Sequence, residues 1–396
     1  MMTQTTESPK LRFRADDGSE FPKWKSMPMR SLFSEVIEKN HPEYPVLSIR
    51  QGCGTILRDS SDRNIEYDKS NLTNYKVIEK GDFIIHLRSF EGGLECSALQ
   101  GISSPAYRIL RSDCIIPEAY KDYFRSHEFI NHRLSEAVVG IRDGKNIDMN
   151  IFWEIKVPYM ALPEQQKIAD FLSAYDKKIF LQKVRVETLK EQKKGLLQKM
   201  FPKKGETVPE LRFPGFTGDW EQRKFSEIAQ RQSETMVSDD DNPCVEYEDV
   251  IVDQGTLNKD IFAKGVYKNG IKFTSKDVLY GKLRPYLHNW LNPDFSGVAV
   301  GDWWVLRPID TDKNFLFRLL QTSKYDDAAN QSSGTKMPRA DWKLISNLEF
   351  EIPATIEEQE KISRVFDNLD NLITLHQRKL ETMQEIKKGL LQQLFC

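Results

Sequence analysis

The sequence predicts an α+β fold in which two globular α/β domains are joined by two long antiparallel coiled-coil helices, with an internal pseudo-two-fold repeat. Three observations support this prediction. Segment 164–201 aligns without a gap with segment 358–395. Both copies carry a heptad pattern of apolar residues, and a run of short strand-like patterns precedes each copy. Self-similarity of this length divides the chain into two halves of one architecture.

The repeated segment is most similar at its two ends. Glu164 and Gln165 recur as Glu358 and Gln359, and both copies end in Lys-Lys-Gly-Leu-Leu-Gln. The halves also open alike, with Pro9-Lys10-Leu11-Arg12-Phe13 in the first and Pro209-Glu210-Leu211-Arg212-Phe213 in the second. We therefore expect four segments: domains at 1–160 and 203–355, and helices at 161–202 and 356–396.

Apolar side chains follow a 4-3 spacing along each copy, which is typical of a coiled-coil seam. The seam residues are Ile168, Leu172, Ile179, Leu189 and Leu196 in the first copy and Ile362, Phe366, Ile373, Leu380 and Leu390 in the second. Polar residues interrupt both seams at the same register, Gln182/His376 and Lys193/Lys387. A helix of this size is about 57 Å long and cannot bury its seam alone. We expect each helix to pair with the other in antiparallel orientation. The alternative is that each packs independently on its own domain.

Within the domains, short β-type runs are bounded by Gly, Asn, Asp and Pro, which indicates strands. The predicted strands lie at 44–49, 75–78, 83–87, 107–110, 155–157, 245–252, 266–273, 278–283, 298–306 and 348–352, with helices near 118–138 and 315–329. A lone tryptophan, Trp24 or Trp220, precedes apolar residues spaced three apart, which predicts a short amphipathic helix in each half. The loops between these elements differ almost completely, as expected of two binding domains with different targets.

Composition narrows the class of protein. The 396 residues are 39% hydrophobic and 29% charged, with a net charge of −2, and no run is apolar enough for a membrane span. The N-terminus lacks the apolar core of a signal peptide, so we expect a cytoplasmic protein without a membrane partner. Five scattered cysteines without a C-x-x-C pair predict free thiols and no metal site.

The catalytic patterns in the chain are incomplete. Asn292-Pro293-Asp294-Phe295 resembles the base-holding loop of amino-methyltransferases, but its third residue differs and no glycine-rich cofactor loop is found. Gly281-Lys282 lacks the glycine and the Ser or Thr of a phosphate-binding loop. Glu154-Ile155-Lys156 lacks the partner acid of a nuclease. We therefore expect no catalytic residue in this chain.

Basic, amide and aromatic residues recur in glycine-bounded loops, and these suit DNA. Arg can grip guanine, Asn or Gln can pair with adenine, and basic neighbours hold phosphates. The candidate DNA-binding residues are Arg50, Gln51, Arg88, Arg142, Lys145 and Asn146 in the first domain and Lys282, Arg284, Tyr286, Lys336 and Arg339 in the second. Each could instead be a surface charge or a packing residue. Trp303 and Trp304 are expected in the core.

Taken together, these motifs resemble the specificity subunit of type I restriction-modification systems. The resemblance rests on the Glu-Gln-x-Lys-Ile helix starts at 164–168 and 358–362 that follow Pro158 and Pro353, the Lys-Lys-Gly-Leu-Leu-Gln endings, and the Leu-Arg pairs at 87–88 and 283–284. It covers nearly the whole chain. Neither copy of the motif is specific alone.

The resemblance implies two target-recognition domains, each reading one half of a split double-stranded DNA sequence, with the helices acting as a ruler. It also implies docking of two modification subunits, which hold S-adenosylmethionine and methylate adenine, and of restriction subunits that use ATP and Mg. No cofactor is expected in this chain. Two other classes remain open: a fused methyltransferase, and a structural adaptor with two protein-binding lobes.

Overall fold

The computed structural model describes residues 9–60, 69–85, 93–140, 146–331 and 337–395. The chain forms two compact units. The first unit is Met1–Lys183 together with Arg378–Cys396, and the second unit is Val184–Gln377. Each unit therefore contains a globular domain and a piece of both long helices.

The first unit is built from short strands and two short helices that precede a long helix. Its elements are β1 (Lys25–Pro28), β2 (Ser34–Glu35), β3 (Leu47–Arg50), β4 (Gly54–Leu57), β5 (Lys76–Ile78), β6 (Phe83–Ile85), β7 (Leu94–Cys96), β8 (Gly101–Ser103), β9 (Arg108–Arg111), α1 (Pro117–Tyr120), β10 (Val138–Val139), β11 (Asn146–Ile147), α2 (Met149–Glu154), β12 (Lys156–Tyr159) and α3 (Leu162–Met200). The main sheet has the order β2-β9-β6-β7, and two-stranded sheets pair β1 with β12, β3 with β4, β5 with β8 and β10 with β11.

The second unit follows a similar plan. Its elements are β13 (Glu221–Lys224), α4 (Phe225–Ile228), β14 (Ala229–Gln232), β15 (Thr235–Val237), β16 (Cys244–Val245), β17 (Val250–Ile251), β18 (Thr256–Leu257), β19 (Asn269–Phe273), β20 (Val278–Gly281), β21 (Trp290–Leu291), β22 (Gly297–Ala299), β23 (Trp303–Pro308), α5 (Lys313–Leu319), α6 (Ser323–Ala329), α7 (Trp342–Ile345), β24 (Glu349–Ile352) and α8 (Ile356–Phe395). Its sheets have the orders β14-β23-β20-β21, β15-β19-β22-β16, β13-β24 and β17-β18.

The two units share a sheet frame. In each, a four-stranded sheet has a fully buried, continuously apolar strand at an inner position, β6 in the first and β20 in the second. In each unit, an arginine on the neighbouring strand, β9 or β23, binds the aspartate that directly precedes this inner strand. Arg111 donates to Asp82 at 2.9 and 2.8 Å, and Arg307 donates to Asp277 at 2.8 and 2.8 Å. The frame is thus repeated down to the ion pairs that its buried aspartates make.

The long helices run antiparallel within each unit. In the first unit, Ile168 and Leu172 of α3 share a hydrophobic core with Leu394 of α8, and further along α3 Asp176 pairs with Lys387. From one contact to the next, the residue number increases along α3 and decreases along α8. The two helix segments therefore run in opposite directions.

The second unit repeats this arrangement, but here the end of α3 packs against the start of α8. Met200 of α3 shares a core with Ile362 and Phe366 of α8, and Lys193 Nζ lies 2.8 Å from Asp370 Oδ1. Each helix therefore packs in both units, which excludes independent packing on its own domain. All predicted seam residues are buried or half-buried: Ile168, Leu172, Ile179, Leu189, Leu196, Ile362, Phe366, Ile373, Leu380 and Leu390.

The glutamate of the repeated Glu-Gln pair at the start of each long helix binds the opening segment of its own half. Arg12 donates to both oxygens of Glu164 at 3.0 and 2.8 Å, and Arg212 donates to both oxygens of Glu358 at 2.7 and 2.9 Å. We call each of these pairs an Arg–Glu clasp. Both glutamates are almost fully buried. The clasps explain why the Leu-Arg-Phe opening and the helix start are repeated together.

The neighbouring glutamine bridges backbone groups that would otherwise be buried without a partner. Gln165 accepts from the Ile116 amide at 2.7 Å and donates to the Met160 carbonyl at 2.9 Å. Gln359 accepts from the Asp312 amide at 2.8 Å and donates to the Pro353 carbonyl at 3.0 Å. The motif therefore fastens each helix start to its domain.

Some local predictions differ from the structure. Of the two short helices predicted after Trp24 and Trp220, the second is confirmed as α4, whereas the first is only a 3₁₀ turn at Met29–Ser31. The strands β1 and β13, which directly follow the two tryptophans, were not predicted. The helix expected at 118–138 is α1 followed by separate 3₁₀ and π turns. The helix expected at 315–329 is split into α5 and α6.

Other predictions are confirmed. Trp303 and Trp304 are buried in the second unit. Cys53, Cys96, Cys114 and Cys244 are free thiols, and Cys396 lies outside the described residues.

Among the described residues, no helix is both long and apolar enough to cross a bilayer.

Candidate nucleic-acid interface

In the first unit, Arg50 and Gln51 lie at the tip of the β3–β4 hairpin. Arg50 pairs with Gly54 across the hairpin, and the Cys53 amide donates to the Arg50 carbonyl at 3.0 Å. Arg50 and Gln51 are both exposed. The predicted pair is therefore on the surface of a tight turn that can enter a groove.

A buried carboxylate fixes this turn. Glu95, which is fully buried, accepts from the Gly52 amide at 2.7 Å and from the Gly54 amide at 3.0 Å. On the other side, Arg125 Nη2 donates to the Gly52 carbonyl at 3.0 Å. A Cβ atom at Gly54 would lie 2.3 Å from the Cys96 carbonyl oxygen, so only glycine fits there. These contacts fix the backbone of the hairpin tip from both sides.

Of the remaining candidates in the first unit, the structure describes only Asn146. Asn146 opens β11 on the surface, where its Oδ1 accepts from the Ile147 amide at 2.9 Å. Arg88, Arg142 and Lys145 lie outside the described residues. Their assignment to DNA stays a prediction.

In the second unit, two candidates contact one acidic residue and a third lies in the same loop. Arg339 donates to Asp302 through Nη2 at 3.1 Å and through Nε at 3.4 Å. Lys282 Nζ lies 3.5 Å from Asp302 Oδ1. Arg284 follows in the same loop, and its amide donates to the Pro338 carbonyl at 2.8 Å. The structure thus brings Arg339 beside Lys282 and Arg284, which lie far from it in the sequence.

Arg284 has an unusual backbone conformation. Its φ of 50° and ψ of 65° place it in the left-handed region, which is uncommon for a residue with a side chain. Within the described ranges its Nε is buried and finds no hydrogen-bond partner. Strained residues with an unsatisfied donor are typical of binding sites. Two residues further on, Tyr286 is exposed, and Lys336 lies outside the described residues.

The residues that organise the β3–β4 hairpin and the loops around Asp302 were not predicted from the sequence. Glu95 and Asp302 are single acids in strand-and-turn segments, and Arg125 is a single base far from the hairpin it holds. The only available signal was the position of Asp302 between Gly301 and Trp303, in a glycine-bounded turn beside core aromatics.

Features suggestive of other chemistry have structural roles here. Asn292 of the methyltransferase-like segment donates to Asn314 at 2.7 Å, and the Pro293 carbonyl accepts from Lys313 at 2.6 Å, so this segment is a packed loop. Across the described parts of the chain, no three His, Cys, Asp or Glu side chains are grouped as metal ligands would be.

The second unit also contains a cavity of about 760 Å³ between the C-terminal part of α3 and the β17–β18 hairpin. Its charged lining has both signs, including Lys190 and Lys193 on one side and Asp253 and Asp326 on the other. His288 lies 3.4 Å from Asp253 and 3.0 Å from Asp326, and the hydrogen bond that His288 donates to Asp253 raises the pKa of His288. This arrangement fastens the hairpin to α6.

Comparison with known proteins agrees with this architecture. The family model described as the type I restriction modification DNA specificity domain matches twice, at residues 29–191 and 217–385. The type I restriction enzyme MjaVIII specificity subunit of Methanocaldococcus jannaschii is 25% identical over 269 residues. That alignment covers 62% of this chain and 62% of the relative, so the chain spans less than two thirds of the relative's length.

Solved structures show the same fold at low sequence identity. The S subunit of a type I restriction-modification system from M. genitalium matches with a TM-score of 0.59 and 13% identity, covering 98% of this chain and 99% of that chain. A chain from a study of complex assembly and conformational transition in a type I restriction-modification system matches with a TM-score of 0.57 and 16% identity, covering 95% and 98%. Since the family model matches both halves and most of the sequence, the chain belongs to the type I restriction-modification DNA specificity family.

Proposed function

We propose that this chain is the DNA-reading subunit of a type I restriction-modification complex, that each domain reads one half of a bipartite asymmetric target, and that the chain itself is not an enzyme. The observation that carries the proposal is a frame repeated down to its ion pairs with loops that differ between the copies. Different loops on one frame are expected to read different half-sites.

In this proposal the first half-site is read by the β3–β4 hairpin and the second by the loops around Asp302. A two-stranded ribbon fits the major groove of B-DNA, and exposed Arg50 and Gln51 have the donors and acceptors to read guanine and adenine. The loop candidates Lys282, Arg284, Tyr286 and Arg339 supply positive charge and an aromatic side chain to the second half-site.

The decisive experiment is a binding selection from a random-sequence duplex library with the chain in its assembled complex. We expect two short conserved blocks of different sequence separated by unspecified base pairs. Recovery of random sequence would support an adaptor instead. S-adenosylmethionine binding by the isolated chain would support a fused methyltransferase.

Replacing Arg284 by alanine is expected to weaken binding to the selected target by about 1–3 kcal/mol. The reason is that Arg284 stands in a loop proposed to face DNA, where an arginine can bond to guanine O6 and N7. Arg88→Ala is expected to act equally in the first domain. Binding is measured by titration of a labelled target duplex, with a thermal melt as the check on folding.

Arg284→Lys separates two roles of this arginine. Lysine keeps the charge but not the planar fork, so it should restore phosphate attraction without base discrimination. If the alanine variant binds the target as tightly as the unaltered chain, the assignment of Arg284 is wrong.

We also propose that the helices set the distance between the half-sites. Because α3 and α8 each pack in both units, an insertion must be made in both helices to preserve packing. Adding one heptad after Lys183 and one after Gln377 keeps the seam in register and lengthens each helix by about 10 Å. We expect the gap between half-sites to grow by about three base pairs, since a turn of about 34 Å holds about ten.

The same selection experiment measures this gap, and a heptad inserted in α3 alone serves as the control, which should disrupt packing. An unchanged gap in the double insertion, or loss of either half-site sequence, contradicts the role of the helices as a ruler.

Finally, we propose that the helices dock two modification subunits through matched exposed apolar residues. Leu181 on α3 and Leu375 on α8 occupy equivalent positions of the repeat, and they are 55% and 63% exposed. Each has an exposed apolar neighbour on its own helix, Phe180 or Leu372. Single exposed apolar residues are common, but an equivalent pair in a diverged repeat fits two copies of one partner. We call Phe180, Leu181, Leu372 and Leu375 the docking residues.

A further inference from the structure

Asp302 lies in a turn that requires a glycine with a positive φ angle directly before it. It lies between β22 and β23, directly after Gly301, whose φ of 102° is readily available only to glycine. Its carbonyl accepts from the Lys282 amide at 2.9 Å and from the Tyr247 hydroxyl at 2.6 Å. The backbone of Asp302 is therefore fixed independently of its side chain.

The side chain of Asp302 connects two loops that come from different parts of the sequence. Lys282 lies on the first loop and Arg339 on the second, and both cations contact the one carboxylate. Burial alone would raise the pKa of Asp302, but the hydrogen bond from Arg339 and the charges of both cations hold this pKa below its ordinary value. The carboxylate is therefore ionised at neutral pH.

The two loops are already joined through their backbones. Leu283 and Arg339 form an antiparallel bridge, and the Arg284 amide donates to the Pro338 carbonyl at 2.8 Å. An ion pair between half-exposed groups adds little stability to such a connection. The contribution of the Asp302 side chain is therefore mainly to the direction of the two cationic side chains.

The contact with Asp302 leaves one edge of the Arg339 guanidinium available to bind a base. Asp302 occupies the edge of the guanidinium formed by Nε and Nη2. The end of the fork, formed by Nη1 and the second hydrogen of Nη2, points away from this carboxylate. That end has the two parallel donors that fit O6 and N7 of guanine. A long side chain that is already oriented loses less conformational freedom on binding.

We propose that Asp302 is a positioning residue for DNA reading, which directs the Arg339 fork towards a base edge and holds Lys282 beside it. This inference rests on the proposed function. It assigns specificity to an acidic residue, although a negative charge opposes DNA binding in general.

The test compares Asp302→Asn with the unaltered chain in the assembled complex, using the selected target duplex and a random-sequence duplex. We expect the preference for the target to fall about tenfold. Affinity for the random duplex should stay equal or increase, because one repelling charge has been removed. A purely structural role would instead weaken binding to both duplexes together and lower the melting temperature.

The matched control is Asp327→Asn, which removes an exposed carboxylate from the same unit. It should leave the ratio of the two affinities unchanged. Combining Asp302→Asn with Arg339→Ala tests whether Asp302 acts through Arg339, because the double variant should then lose no more preference than Arg339→Ala alone.

Two results separate this inference from the function on which it rests. If the unaltered complex shows no preference for any duplex, the proposed function is wrong. If the unaltered complex has a preference and Asp302→Asn retains all of it, only the role of Asp302 is wrong.

Discussion

Replacing Glu358 by alanine is expected to destabilise the second unit by about 3–5 kcal/mol. Glu358 is 2% exposed and accepts two hydrogen bonds from Arg212, whose side chain is 14% exposed. Alanine would leave the Arg212 guanidinium largely buried beside a void, without a compensating charge. The melting temperature, followed by circular dichroism, measures the loss.

Two further variants make this prediction specific. Glu360→Ala, on the same helix, removes an exposed carboxylate that lies 3.6 Å from Arg364 and should change stability by less than about 1 kcal/mol. Replacing both partners, Arg212→Met with Glu358→Leu, should recover most of the loss, since apolar residues of similar volume often replace a buried ion pair without cost. Equal stability of Glu358→Ala and Glu360→Ala would show that the Arg–Glu clasp does not hold the helix start.

The same reasoning applies to the first clasp because the repeat preserves it. Glu164→Ala should destabilise the first unit through loss of its pair with Arg12. The repeat therefore provides an internal replicate of the experiment.

The long helices could be predicted from the sequence to within two residues at each end. Their heptad pattern extends over many turns, so single exceptions such as Lys193 and Lys387 did not obscure it. The structure adds the reason for these two exceptions. Each lysine pairs with the aspartate that the repeat places on the opposite helix, Asp370 or Asp176.

Shorter elements were predicted less well because their conformation depends on distant partners. β1 was not predicted, since it pairs with β12, more than a hundred residues away, and no local pattern reveals such pairing. The helix expected at 315–329 is interrupted where the Thr322 side chain accepts from the Tyr325 amide and starts α6 as an N-cap.

The candidate site could be predicted only in part for a similar reason. Composition and glycine spacing indicated which loops carry Arg50, Lys282 and Arg339, since each of these bases stands in a glycine-bounded segment. The acids that orient those loops, Glu95 and Asp302, give no periodic signal. They acquire a role only when folding brings the loops together.

Replacing Leu181 by glutamate is expected to remove one modification subunit from the assembled complex, and Leu375→Glu to remove the other. A buried apolar contact at the centre of an interface contributes 2 kcal/mol or more, and a buried unpaired carboxylate adds a further cost. Affinity for one partner copy should therefore fall at least about thirtyfold. Native mass spectrometry of the complex counts the copies bound by each variant.

One control changes an exposed residue elsewhere in the second unit, and the other changes both leucines of the repeat together. Val237→Glu changes a residue that is 59% exposed on β15 of the second unit, and it should keep two copies bound. The double variant Leu181→Glu with Leu375→Glu should bind none and should retain its melting temperature, because neither leucine is buried in the free chain. If the double variant still binds two copies, the partner docks elsewhere and the matched exposure of Leu181 and Leu375 has another cause. If each single variant loses both copies, the two partners bind cooperatively, and the repeat supplies one composite surface in place of two equivalent ones.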